Sequence, residues 1–296
     1  MSDNRDDSGI HEEKNNIDPG NQHQEEMALL KTRMGKVRHK IAVISGKGGV
    51  GKTLVTVNLA MALAMGGRNG RVGVLDADIH GPCVPKMMGL KGSRLEAGPP
   101  GIFPALGPLN IRVVSMGFLL SSDDSPVIWR GPLKMVAIRQ FLSEIVWGEL
   151  EYLLIDLPPG TGDEALSVLQ LLPEMDGVVI VTLPSEVSQD VVRKAVTFAR
   201  MMKVPIIGIV ENMSGLVCPH CGKRIDVFGG IGESVKRMAS EMNVPFLGTI
   251  PIDPRISMAC DIGVPFIVEN KGSPAAEAFN DVVEKIEKFV EERNKK

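Results

Sequence analysis

One stretch near the N-terminal end constrains the fold more than any other. An apolar run, Ile41-Ala42-Val43-Ile44, passes into Ser45-Gly46-Lys47-Gly48-Gly49-Val50-Gly51-Lys52-Thr53, after which Val55, Leu59, Ala62 and Leu63 recur at helical spacing. A strand, a glycine-rich loop and a helix in that order make a phosphate cradle. Gly46, Gly51, Lys52 and Thr53 fit the P-loop pattern: backbone N–H groups wrap the phosphates, the lysine neutralises charge, and the hydroxyl ligates magnesium. The glycines, Gly48 and Gly49 included, let the backbone approach the anion closely. The helix that follows turns its positive end toward the same point. Residues Gly46 to Thr53, with Val50 among them, are thus the candidate phosphate-binding residues. A chance glycine-rich turn has no reason to sit between a strand and a helix.

At 296 residues the chain can bury one large core, which suggests a single α/β domain over residues 37–296. Residues 1–36 carry Asp3, Asp6, Asp7, Glu12, Glu13, Asp18, Glu25 and Glu26 against few bases. They are expected to form a flexible acidic tail, with a short helix over 24–35 as the alternative. A net charge of -3 offers no sequence-independent attraction to nucleic acid. No apolar run is long enough to span a membrane and no signal peptide is visible, so a cytoplasmic location is expected. Four cysteines in such a chain point to thiols or metal ligands rather than a disulfide scaffold.

Strand patterns near 40–45, 71–76, 152–157, 177–183, 206–211 and 246–250 alternate with helical patterns near 52–65, 132–146, 164–172, 187–202, 230–242 and 274–293. That alternation specifies an α/β fold, a mostly parallel sheet with helices on both faces. Ligands of such sheets sit at the carboxyl ends of the strands. Between residues 89 and 126 the pattern weakens into a hairpin or loop excursion. The last helix gathers Phe279, Val282, Val283, Ile286, Phe289 and Val290 on one face without a basic excess opposite. Packing on the sheet explains that face better than a lipid surface does.

Several strand ends carry candidate chemistry. The strand through Leu75 ends in Asp76-Ala77-Asp78, and the strand 152–156 ends in Asp156, the arrangement that holds magnesium. The loop from Leu157 to Asp163, stiffened by prolines and freed at glycines, suits a sensor of a γ-phosphate. Asn212, after the strand 206–211, offers a donor and an acceptor that match an adenine edge, although it could instead cap the turn at Met213-Ser214-Gly215. Lys47 is a second lysine that the phosphate pattern does not require, and a surface lysine is the alternative. Cys218-Pro219-His220-Cys221 admits three readings: a redox dithiol, an intrachain zinc site lacking a second ligand pair, or half of a four-thiolate site completed across a two-fold axis. Cys83 and Cys260 stand alone and are expected to be small buried apolar groups, with His220 a solvated spacer.

Gly46 to Thr53, with Lys47 after the first glycine, resembles the deviant Walker A loop of nucleotide-dimerised ATPases that include MinD, ParA, ArsA and the nitrogenase iron protein. The resemblance implies that Lys47 reaches the partner's nucleotide, in the manner of an arginine finger. It also implies that Asp78 activates the attacking water and that Asp76 supports magnesium geometry. The catalytic set would be Lys47, Lys52 and Asp78; Thr53, Asp76 and Asp156 would serve magnesium. Asn212 and the loop with Pro251 and Asp253 would hold the base of ATP.

Adding Trp129-Arg130-Gly131-Pro132, Glu211-Asn212-Met213-Ser214 and the Cys218/Cys221 pair, the chain resembles the Mrp/ApbC family over residues of about 38 to 270. That implies a homodimeric, weakly hydrolysing ATPase that carries an iron-sulfur cluster, of the 4Fe-4S kind, to recipient apoproteins. Cys218 and Cys221 of both copies would ligate it. No membrane or nucleic-acid partner is implied. Unlike members with an N-terminal ferredoxin-like cysteine cluster, this chain has no cysteine before Cys83. The competing functions are a MinD/ParA-like positioning ATPase without a cluster and an ATPase with a dimer-bridging zinc site. A nitrogenase-type reductase would need isolated cysteines after the middle strands rather than a late CxxC.

Overall fold

Ile41-Ala42-Val43-Ile44 and Val178-Val179-Ile180-Val181 have no polar face, so strands made from them must be covered on both sides. In the computed structural model, which describes residues 19–119, 131–218, 220–221, 223–228 and 233–295, the two runs are neighbours at the centre of a sheet. The order of elements is α1 (Pro19–Met34), β1 (Val37–Ser45), α2 (Lys52–Met65), β2 (Val72–Asp76), α3 (Val84–Met87), β3 (Glu96–Gly98), β4 (Gly101–Phe103), β5 (Ala105–Leu106) and β6 (Arg112–Ser115). Then come α4 (Gly131–Glu144), β7 (Leu150–Asp156), α5 (Asp163–Leu171), β8 (Gly177–Thr182), α6 (Glu186–Met201), β9 (Ile206–Glu211), β10 (Leu216–Val217) and β11 (Arg224–Ile225). The chain finishes with α7 (Glu233–Glu241), β12 (Phe246–Thr249), α8 (Pro254–Ile262), α9 (Phe266–Glu269) and α10 (Pro274–Asn294).

The main sheet has the order β12-β9-β8-β1-β7-β2-β6-β5. Every neighbouring pair is parallel except β5 with β6. Parallel strands put their carboxyl ends on one edge, which brings Ser45, Asp76, Asp156, Glu211 and Thr249 into a row. Helices α1 and α4 to α7 bury their apolar faces on one side of the sheet. Helices α2, α3 and α8 to α10 cover the other. Ser273 caps α10 by accepting from Ala276 N–H, and Pro274 opens the helix at a position where no N–H is needed. The face from Phe279 to Val290 is buried against the sheet side, with Phe289 partly buried, as the apolar stripe predicts. No helix among the described residues is long and apolar enough to cross a membrane.

Two expectations need correcting. The flexible tail expected over 1–36 does not describe residues 19–34: they form α1, which lies on α4 with Leu30 and Met34 at 0% and 1% exposure. Glu26 Oε2 meets Arg139 Nε at 2.7 Å, and Arg33 donates to Pro100 O at 2.6 Å. Residues 1–18 lie outside the described residues. The excursion after residue 89 does contain a hairpin, β3 with β4, but Arg112–Ser115 is no loop; it joins the main sheet beside β2 in parallel register. Of the stretch Trp129 to Pro132, Trp129 and Arg130 lie outside the described residues.

Candidate functional site

The cradle forms where β1 ends and α2 begins. Gly51 takes the left-handed conformation, with φ 78° and ψ 28°, that turns the loop into the helix. A side-chain carbon there would overlap the amide nitrogen of Asn212, and one on Gly46 would overlap Val191 of α6. Over Gly48 and Gly49 there is open space instead, so these two face the side on which a ligand enters. Ser45 Oγ donates to Lys47 O at 2.9 Å and Val50 is buried. Lys47 is half-buried and makes no ion pair among the described residues. Lys52 is 6% exposed with its Nζ 2.6 Å from Asp156 Oδ2, and no hydrogen-bond partner otherwise satisfies the buried ammonium. Buried donors of that kind fit phosphate oxygens.

Two fully buried carboxylates lie behind the loop. Asp76 and Asp156 end neighbouring strands in direct register. Asp156 accepts from Thr53 Oγ1 at 2.6 Å and from Thr56 Oγ1 at 2.7 Å. Asp76 accepts from Ser115 Oγ at 3.0 Å and from the N–H groups of Val84 and Asp78 at 3.2 Å. Burial, and then the charge of Asp156, push the Asp76 carboxyl up to about 8. The single ammonium of Lys52 pairs with Asp156 and leaves Asp76 raised beside it, and a divalent cation would supply the positive charge that lets both carboxyls ionise. Thr53, Asp76 and Asp156 are therefore suited to magnesium in type and place.

Thr56 and Ser115 belong to this cluster although the sequence reading did not single them out. Thr56 could have been found from its helical spacing to Lys52 and Thr53. Ser115 could not, because its strand was not recognised as part of the sheet.

The two loops beside the cradle are tied together. Asp78 Oδ1 accepts from His80 N–H at 3.2 Å and Gly81 N–H at 3.1 Å, holding its own turn. His80 Nε2 lies 2.8 Å from Glu164 Oε1 in the first turn of α5. In the loop that precedes α5, Gly160 N–H donates to Ser45 O at 2.9 Å.

Asn212, 3% exposed, reaches the cradle rather than its own turn: its Nδ2 donates to Val50 O at 2.9 Å. Its side-chain oxygen is then the atom suited to accept from an adenine amino group. Pro251 and Asp253 follow β12, the neighbour of β9, on the same edge. Asp253 caps α8 and pairs with the Arg255 guanidinium at 2.6 Å. Partial burial would raise this carboxyl, but Arg255 outweighs that and holds it below the usual carboxylate range.

The cysteine pair sits at the tip of the β10–β11 hairpin, where Cys218 N–H donates to Lys223 O at 2.9 Å. Pro219 and Gly222 lie outside the described residues. Cys218 is half-buried, while Cys221 and His220 are exposed. The backbone N–H groups of Cys221 and His220, and then the Cys221 thiol, hold the Cys218 thiol below its usual range. Among the described residues no third metal-ligating side chain joins the two. The chain after Cys221 returns as β11, not as the helix that a thioredoxin-type dithiol would cap. Ile225, at the end of β11, and Val227 and Phe228 just after it expose large apolar surface. The expectation of burial fails for the lone cysteines: Cys83 is exposed just before the short helix α3, where its side chain makes no capping bond, and Cys260 is only half-buried.

Comparisons with known proteins agree with this geometry. Residues 36–287 match the family described as ParA: NUBPL iron-transfer P-loop NTPase. A protein of Methanocaldococcus jannaschii named iron-sulfur cluster carrier protein is 52% identical over 265 residues, covering 89% of each chain. One of the same name from Saccharolobus solfataricus is 52% identical over 263 residues, covering 88% of this chain and 87% of that protein. Among solved structures, a nucleotide-binding protein in complex with ADP from Archaeoglobus fulgidus is 40% identical, with a TM-score of 0.73 over 85% of this chain and 95% of the other. The cell division ATPase MinD of Pyrococcus furiosus is 25% identical, with a TM-score of 0.64 over 85% of this chain and 99% of its own. On the strength of both its phosphate edge and these matches, the chain belongs to the NUBPL iron-transfer P-loop NTPase family.

Proposed function

We propose that this protein is an ATP-hydrolysing homodimer that carries a 4Fe-4S cluster between two copies of its cysteine hairpin and delivers it to apoproteins. The observation that carries the reading is the half-site. Cys218 and Cys221 lie on an exposed hairpin, the Cys218 thiol is eased toward thiolate by backbone donors, and no third ligand stands near among the described residues. A second copy would supply the other two thiolates, and the apolar surface of Ile225, Val227 and Phe228 would be covered when the hairpins meet. The relatives named iron-sulfur cluster carrier proteins support the cargo. Reduced thiols of this kind suit a cytoplasmic protein.

At the other site, the N–H groups of Gly46 to Thr53 and the Lys52 ammonium bind the phosphates, while Asn212, Pro251 and Asp253 flank the base. Thr53, Asp76 and Asp156 would hold magnesium, which would supply charge neutralisation on the phosphate oxygens. Asp78 orients the attacking water once its turn opens toward the γ-phosphate. Lys47, unpaired within the described chain, crosses to the partner's nucleotide, so hydrolysis waits for dimer closure.

Anaerobic reconstitution with iron and sulfide tests this. The expected product absorbs in the visible blue and holds about four irons per dimer. Unchanged iron binding in the Cys218→Ala/Cys221→Ala variant would remove the ligand assignment, and zinc in place of iron would favour a structural metal.

A further inference from the structure

The residues that lead into the cysteine hairpin also sit on the phosphate loop. Asn212 Nδ2 holds Val50 O, and the space above Gly51 is filled by that amide and by Met213 Cε, 3.4 Å from where a side-chain carbon on Gly51 would stand. From there to the hairpin the backbone is pinned at each step. Asn212 N–H donates to Thr182 O at 2.8 Å, and Met213 is held left-handed with φ 56°. Gly215 N–H donates to Met213 O at 3.0 Å and Ser214 N–H to Ile250 O at 2.9 Å. Ile252 N–H donates to Gly215 O at 2.8 Å, and Leu216, the first residue of β10, bridges to Ile252. Cys218 follows two residues later.

We propose that Asn212 and Met213 are positioning residues that transmit the nucleotide state of the phosphate loop to the thiols of Cys218 and Cys221. The proposal rests on the reading that nucleotide binds this loop. Phosphate entering the cradle would draw the peptide N–H groups around Val50 and Gly51 toward the anion. Asn212 is buried, so it cannot exchange Val50 O for water; it follows the loop or loses its partner. A left-handed non-glycine residue has a narrow range of φ and ψ, so Met213 passes a shift onward instead of absorbing it. The hairpin root is clamped to the loop after β12 as well, so movement from either nucleotide-facing side reaches the cysteines. By linkage, occupation of the thiols alters ATP affinity by the factor with which ATP alters theirs.

The test uses the full, metal-free chain and follows iodoacetamide alkylation of the peptide bearing Cys218 and Cys221 by mass spectrometry, with ATP binding measured on the same samples. ATP with magnesium is expected to change the alkylation rate by about fivefold or more. Met213→Gly, which removes the side chain that fills the space above Gly51 and frees the backbone, should bind ATP yet show less than about a twofold response. Met213→Ala shortens that side chain alone and serves as the second variant, with a reduced response expected. A full response in the glycine variant overturns the proposal, as does bound ATP with no rate change in the unsubstituted chain; either leaves cluster carriage standing. Failure of the unsubstituted chain to bind ATP overturns the functional reading and this coupling together.

Discussion

Asp176 anchors the base of the central strand, far from the phosphate edge. Its Oδ2 accepts Lys40 N–H at 2.8 Å and its Oδ1 lies 3.4 Å from His39 Nδ1. The His39 ring lies against Tyr152 with centroids 5.0 Å apart. Burial alone would raise the Asp176 carboxyl, but the His39 and Lys40 hydrogen bonds outweigh it and hold it below the usual range. A depressed carboxyl adds stability above its unfolded pKa of about 3.9 and loses it as pH falls through the lower folded value. Asp176→Asn should therefore cost about 1 kcal/mol near pH 7. In thermal melts across pH, that cost should shrink below about pH 4. A cost independent of pH would assign it to packing. Asp76 shows the opposite sign in the same sheet, because burial, and then the charge of Asp156, outweigh its hydrogen-bond donors.

Among the elements, α1 departs furthest from expectation. Replacing Leu30 with alanine should cost about 2–5 kcal/mol, read as a lower urea midpoint, since the residue is fully buried. A solvated helix would show no change. A short helix over 24–35 is the alternative that the sequence offers; that it starts at Pro19 and docks on α4 is not legible, for a physical reason. Met27, Leu30 and Met34 make one sparse apolar stripe among acidic and polar residues, and the surface that completes it, on α4, is remote in sequence. The central strands were legible because buried parallel strands need unbroken apolar runs, and each ends on a residue with chemistry. β6 was harder: Arg112–Ser115 is four residues long and begins with a charge. At the site, residue types at strand ends could be read directly. The Asn212 bond to Val50 could not, because it depends on how loops distant in sequence meet.

For the whole molecule, Lys47 is the residue whose purpose one chain does not supply. Lys47→Ala should lower phosphate release by about a thousandfold or more, the scale of a charge supplied in trans, while ATP still binds. Mixing it with an Asp78→Ala variant should restore part of the rate, because a mixed dimer keeps one intact pairing of Lys47 with Asp78. An unchanged rate would return Lys47 to the solvent surface. The sheet order has a different outcome at the time of synthesis. β1 emerges early, yet Val37 pairs with Leu150 and Ile41 with Gly177, so the central strand waits for half the chain before either neighbour exists. Pairing at such separations is slow and leaves an apolar segment open to the wrong contacts until β7 and β8 arrive. The nucleotide edge is completed later still, when the loop after β12 is in place. On the proposed reading, in which Pro251 and Asp253 flank the base, a nascent chain on the ribosome lacks that side of its pocket until nearly the entire fold has formed, and only finished molecules join the pool that competes for ATP.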